Sequence, residues 1–214
     1  MNYQIIPSII AHNQEELDMR LGKVKSFANF IQLDVMDGKF VADKTFNFPF
    51  ALPKKLSFEA HLMIKNPFDW IKKNEKFFNS FIVHAETLGF SLIGNPLART
   101  VKELHSKNKS LGIAVNPETP VKRIRKHLDY VDKVLFMTVN PGAYGGKFIV
   151  EVLPKIEELR RLMPKLDIEV DGGMNPNTLN LCRKSGANSF VVGSFLQNSP
   201  DVKRDWKELQ GIIR

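Results

Sequence analysis

The chain has 214 residues, 43% hydrophobic and 25% charged, a balance that suits a folded α/β-sized domain with a substantial core and excludes a disordered or low-complexity chain. Its 31 Lys and Arg exceed its 23 Asp and Glu for a net charge of +8, but the basic patches (Lys72 and Lys73, 107–109, 122–126) fall on expected helices with no RNA-binding or zinc-finger signature, so nucleic acid is not an expected partner. Cys182 is the only cysteine, which rules out an internal disulfide framework. With no signal-peptide pattern and no membrane-length apolar run, the cytosol is the expected compartment.

Short, β-branched apolar runs predict eight strands, at 4–9, 30–35, 57–63, 80–84, 111–115, 133–139, 167–170 and 189–192. Amphipathic stretches between them predict helices at 15–27, 69–77, 91–107, 148–163, 177–185 and 200–213, with a shorter one at 120–127. The stretch 37–54 carries Pro49 and Pro53 with little periodicity, and reads as a long loop with at most a short distorted helix. Strands that alternate with helices pair in parallel through right-handed crossovers. Eight such units fit a closed (β/α)8 TIM barrel, one domain over 1–214, better than an open doubly wound sheet. Barrels of this kind can be built from roughly 200 residues, so few insertions are expected.

Chemistry in such a barrel sits where the strands end. The polar residues there are Ser8, Gln32, Asp34, Asp37, His61, His84, Asn116, Asn140 and Asp171. A buried carboxylate needs a partner or a cation, so Asp34 in FIQLDVMDG and Asp171 in IEVDGG are poorly explained by packing. Three strands apart around the ring, they are expected to face each other across the barrel mouth, placed to remove a proton from one face of a carbon and deliver one to the other. His61 in FEAHLMI reads as a metal ligand or as a satisfied core histidine. His84 could bond a substrate or orient a loop. Met36, Met63 and Met137 lie at strand ends, as substrate contacts or as ordinary core. Three glycine-bearing loops follow the last three strands: NPGAYGGKF, DGGMNPNT and VGSF. Their backbone N–H groups suit a phosphate.

At these residues the chain resembles the ribulose-5-phosphate 3-epimerase family, along nearly its whole length. The resemblance is carried in order by IIPSIIA, LDVMDGKFV, EAHLMIKNP, IVHAET, GIAVNPETPV, VLFMTVNPG, IEVDGGMNPNT and GANSFVVGSF. It implies interconversion of ribulose 5-phosphate and xylulose 5-phosphate through a cis-enediolate, in the pentose phosphate pathway. Asp34 and Asp171 would be the acid/base pair and metal ligands, and His61 a metal ligand. Ser8 and His84 would line the sugar, and Gly142, Gly145, Gly172, Gly173, Gly193 and Ser194 would cradle the phosphate. The implied cofactor is a divalent metal (manganese, iron, zinc or magnesium), the implied partner a small phosphorylated sugar, and the implied assembly a homo-oligomer.

The departures from the family pattern fall on the rim. Gln32 stands where the family has a metal-binding His, which predicts a weakly held metal with Gln32 as a further ligand and a preference for harder ions. Ala143, Tyr144 and Gly146 replace Phe, Gly and Gln of the phosphate loop, and a Tyr in a glycine's place predicts backbone strain there. His12 and Phe195 also depart from the pattern. Two other readings stay open: a related barrel enzyme on another phosphorylated sugar with altered or no metal, and a non-catalytic sugar-phosphate-binding barrel.

Overall fold

A strand that is apolar on both faces needs cover on both faces, and a closed sheet ringed by helices supplies it. The computed structural model, which describes residues 2–89 and 95–214, has this arrangement. Its strands are β1 (Gln4–Ile9), β2 (Phe30–Met36), β3 (Ser57–Met63), β4 (Ser80–His84), β5 (Ser110–Val115), β6 (Lys133–Met137), β7 (Asp167–Asp171) and β8 (Ser189–Val192). All neighbours are parallel, in sequence order, and β8 pairs back onto β1 to close the barrel. The outer core lies between this barrel and the helices α1 (Gln14–Val24), α2 (Pro67–Asn74), α3 (Pro96–His105), α4 (Leu153–Leu162), α5 (Pro176–Ser185), α6 (Ser194–Gln197) and α7 (Val202–Ile213).

The helix starts are written locally. Asn13 caps α1 by accepting from the Glu16 N–H, and Asn175 with Thr178 forms a capping box on α5. Proline opens α2, α3 and α5, where its missing N–H costs nothing. The first residues of the expected helix at 91–107 lie outside the described residues, and the described part is helical from Pro96.

Three expectations change. The helix expected at 148–163 begins at Leu153, behind a 3-10 turn over Val150–Val152. The helix expected at 120–127 is instead a pair of 3-10 turns, Val121–Arg123 and Arg125–His127. The segment is too short to nucleate an α-helix well, and Lys122 and Lys126 would repel at i, i+4. The sixth strand stops at Met137, because the Thr138 N–H turns to the Asp171 carbonyl and its hydroxyl to those of Asp171 and Gly172.

After β2, residues 37–56 form the expected loop, and an aromatic cluster takes the place of a covering helix. Phe46, Phe48 and Phe50 pack on one another with centroids 5.8–6.3 Å apart, and Phe50 reaches Phe77 at 5.2 Å. Thr45, buried at the start of this cluster, donates to the Asp34 carbonyl and accepts from the Met36 N–H, which ties the loop to the end of β2.

The barrel interior is polar at both ends and apolar between, where Ile82, Ala114, Leu135 and Met137 meet. At the end away from the glycine loops, Lys133 lies 2.7 Å from Glu59 and 2.8 Å from Glu169, and Ser80 donates to Glu59 at 2.6 Å. Burial opposes the charge on Glu59, but the Lys133 ammonium outweighs it and holds that carboxyl below the usual range. Burial, then the charge of Glu59, pushes Glu169 well up. One ammonium thus sits between two carboxyls whose proton affinities are driven apart, Glu59 downward and Glu169 upward.

Candidate active site

Parallel register decides what meets at the strand ends. Asp34 pairs with His61 across β2 and β3, Met36 with Met63, and Met137 with Asp171 across β6 and β7. Side chains two apart share a face, so Gln32, Asp34 and Met36 all point inward beside Glu59, His61 and Met63.

Asp34 and Asp171 do not stand apart across the mouth. One oxygen of each and one nitrogen of His61 lie within 4.8 Å of one another. Gln32 explains the convergence. Its amide donates to Asp34 Oδ1 at 2.7 Å and to Asp171 Oδ2 at 2.8 Å, clamping the two carboxylates from below. His61 Nδ1 lies against the same two oxygens, at 3.3 and 3.2 Å. Burial alone would lower the His61 pKa, but contact with Asp171 and Asp34 raises it to about 10. Burial and then the charge of Asp171 push Asp34 up.

These residues fit a divalent cation. Two carboxylates and an imidazole converge, and Gln32 Oε1 is buried with no hydrogen-bond partner among the described residues. A half-turn of that amide, whose O and N are assigned from the hydrogen-bond network, brings the idle oxygen to face the cluster as a fourth hard donor.

Asp34 and Asp171 open into a cavity of about 50 Å³. It is lined by Ser8, Met36, Met63 and Met137 on the strand side, and by Gly142, Gly145, Gly172, Gly173, Gly193 and Ser194 on the loop side. Gln32 and His61 lie beneath it, fully buried, and His84 lies behind His61 and is not among the lining residues. The strain expected at Tyr144 is absent among the described residues, because the left-handed positions in that loop fall on Gly142 (φ 79°) and Gly145 (φ 71°). Gly193 is glycine for space, since a Cβ there would sit 2.7 Å from Ser8 Oγ.

Two neighbours of the site, Arg20 and Glu86, escaped the sequence. Arg20 on α1, held by Glu16 at 2.8 and 2.9 Å, lies over the Tyr144 ring at 5.7 Å on the cavity rim. Only an i, i+4 charge pair marked it. The His84 ring, buried among Phe40, His61, Asn116 and Glu86, has a pKa lowered to about 4, by burial and then by the charge of His61. Glu86 is itself held down to about 2 against its burial, by bonds from His84, Thr119 and the Asn116 N–H.

A profile described as the ribulose-phosphate 3 epimerase family matches residues 4–197. A ribulose-phosphate 3-epimerase of Bacillus subtilis (strain 168) is 36% identical over 220 residues, covering 97% of this chain and 98% of that protein. One from Synechocystis sp. is 35% identical over 211 residues, covering 94% and 90%. The crystal structure of 3-hexulose-6-phosphate synthase from Salmonella typhimurium shares the fold, with a TM-score of 0.68 at 14% identity over 98% of this chain and 98% of that one. The sequence identity to the two epimerases spans nearly the full length of both chains, on a barrel whose strand ends carry the two aspartates and the histidine, and it places this chain in the ribulose-phosphate 3-epimerase family and makes it an epimerase.

Proposed function

We propose that the chain interconverts ribulose 5-phosphate and xylulose 5-phosphate, with Asp34 and Asp171 as the acid/base pair. One carboxylate takes the C3 proton, leaving a cis-enediolate, and the other carboxyl returns a proton to the opposite face. Inversion needs two groups in different protonation states, one to take the proton and one to return it, and burial together with the charge of Asp171 pushes Asp34 up, in the direction that separates them. Ser8, Met36, Met63 and Met137 contact the sugar, and the N–H groups of the loops around Gly145, Gly173 and Gly193 hold the phosphate. Asp34, His61 and Asp171, with the Gln32 amide oxygen, would hold a divalent cation that supplies Lewis-acid polarisation of the ketose oxygens. With mostly oxygen donors, manganese or magnesium suits this set better than zinc.

The observation that carries this reading is one cavity that joins both carboxylates to three glycine loops. A second reading, a metal-independent enzyme on another phosphorylated sugar, is favoured by the Gln32 clamp, since that amide already satisfies the carboxylates a cation would bind. Metal analysis of the purified protein, followed by a coupled assay for xylulose 5-phosphate with and without added manganese, separates the two. Turnover that rises with manganese supports the first; full activity in chelator, or none on this ketose under any condition, overturns it.

A further inference from the structure

We propose that His84, backed by Asn116 and Glu86, is a positioning residue that fixes the tautomer of His61, so that the Nδ1 lone pair of His61 is the atom aimed at Asp34 and Asp171. The inference concerns the same site as the proposed function and rests on reading that site as a cation centre, but its first test needs no cation.

The two imidazoles lie nearly parallel, with Nε2 of His61 2.9 Å from Nε2 of His84. One proton can sit between two such nitrogens, and the far edge of His84 decides which ring owns it. There, Nδ1 meets Asn116 Oδ1 at 3.0 Å and Glu86 Oε2 at 3.4 Å. The Asn116 amide is oriented by its own donation, from Nδ2 to Glu118 Oε1 at 3.2 Å. Glu86 is oriented through its other oxygen, which accepts from the Asn116 N–H and the Thr119 hydroxyl. Both groups that face His84 Nδ1 are therefore acceptors, so Nδ1 carries the proton and a neutral His84 presents a bare Nε2.

It follows that His61 carries its proton on Nε2 and donates it to His84. The opposite order would set a bare nitrogen of His84 against an amide oxygen and a carboxylate, at a ring that is fully buried. With Nε2 committed, Nδ1 of His61 faces Asp34 Oδ1 and Asp171 Oδ2 at 3.3 and 3.2 Å. A lone pair and two carboxylate oxygens tolerate that approach only with a cation among them, either a proton on Nδ1 or a metal ion. Metal-bound histidines usually pass their second N–H to a carboxylate or carbonyl. Here a second imidazole does that work and relays it to Asn116 and Glu86. Phe40, packed on His84 with centroids 4.7 Å apart, holds the ring in place.

Long-range ¹⁵N–¹H correlation spectra of the metal-free protein test the relay directly. The expected pattern is His84 neutral, with its proton on Nδ1 and an unprotonated Nε2. A proton on His84 Nε2 overturns the proposal, whether or not the chain binds metal. Manganese titrations of variants test the consequence. His84→Leu removes the acceptor and should weaken manganese binding by about 10–100-fold, while His84→Gln, whose amide oxygen can take the His61 N–H, should stay within a few-fold of the parent. Equal manganese affinity for the leucine and glutamine variants, both folded, also overturns it. If His84→Leu does not fold, the parent's spectrum decides alone. A parent that shows the expected tautomers yet takes up no manganese keeps the relay and removes the metal from the proposed function.

Discussion

On the proposed reading Gln32 governs how readily the site takes a metal, and Gln32→His tests it. In the protein as it stands, the amide donates to Asp34 and Asp171 at 2.7 and 2.8 Å. Hydrogen bonds to charged partners are worth about 1.5–3 kcal/mol each. An entering cation must displace both before the amide oxygen can turn towards it. An imidazole in the same place offers a nitrogen donor and does not clamp the carboxylates with two N–H groups. Ligand-shell changes of this size alter metal affinity by about 10–100-fold, or about 1.4–2.8 kcal/mol. Calorimetric titration of parent and variant with manganese and zinc, with epimerase rates on the same samples, should show at least the lower figure, and activity should rise with occupancy. Tight zinc binding by the parent, or a variant that gains neither metal nor activity, would refute this and make Gln32 a specialised substrate contact.

Lys133→Met should destabilise the barrel by about 3–5 kcal/mol, since it leaves Glu59 and Glu169 buried without their cation. At about 2–4 °C per kcal/mol for a chain of this size, the melting midpoint should fall by about 6–20 °C, and an unchanged midpoint would show that the triad is not holding the closed end. Gly193→Ala places a methyl group against Ser8 Oγ, so KM should rise severalfold; an unchanged KM would mean the phosphate lies elsewhere. Glu86, held down to about 2 in the folded chain, contributes stability that is present above its ordinary range near 4.5 and lost as pH falls towards 2. Urea midpoints at pH 7 and pH 3 should therefore differ less in Glu86→Gln than in the parent, and an equal or larger difference would remove Glu86 as a source of acid sensitivity.

Much of the fold was legible because each strand is a short apolar run bounded by turn residues, and β1, β3, β4 and β8 begin and end where that pattern does. The 3-10 turns at 120–127 were not, since a seven- or eight-residue amphipathic stretch looks alike whether or not it can nucleate a helix. At the site, residue types at strand ends were enough to single out Asp34, His61, Asp171 and the glycine loops. What was illegible is register. Only the pairing of β2 with β3, and the closure of the ring through β7, β8 and β1, bring Asp34 and Asp171 onto one amide rather than opposite sides of the mouth. Lys133 looks like any solvent-facing lysine until its neighbours are known, because Glu59 and Glu169 come from strands distant in sequence. The role of His84 depends on Asn116 and Glu86 for the same reason.

The central claim is that Asp34 and Asp171 exchange a proton at C3 of a ketose phosphate, and solvent exchange reads that event. Ribulose 5-phosphate incubated with the protein and manganese in D₂O should gain deuterium at C3 by NMR while xylulose 5-phosphate accumulates. Asp34→Asn and Asp171→Asn should each slow this by about 10²–10⁴-fold with the fold intact. Either variant within a few-fold of the parent, or a parent that exchanges nothing at C3 with any divalent ion supplied, would contradict the account.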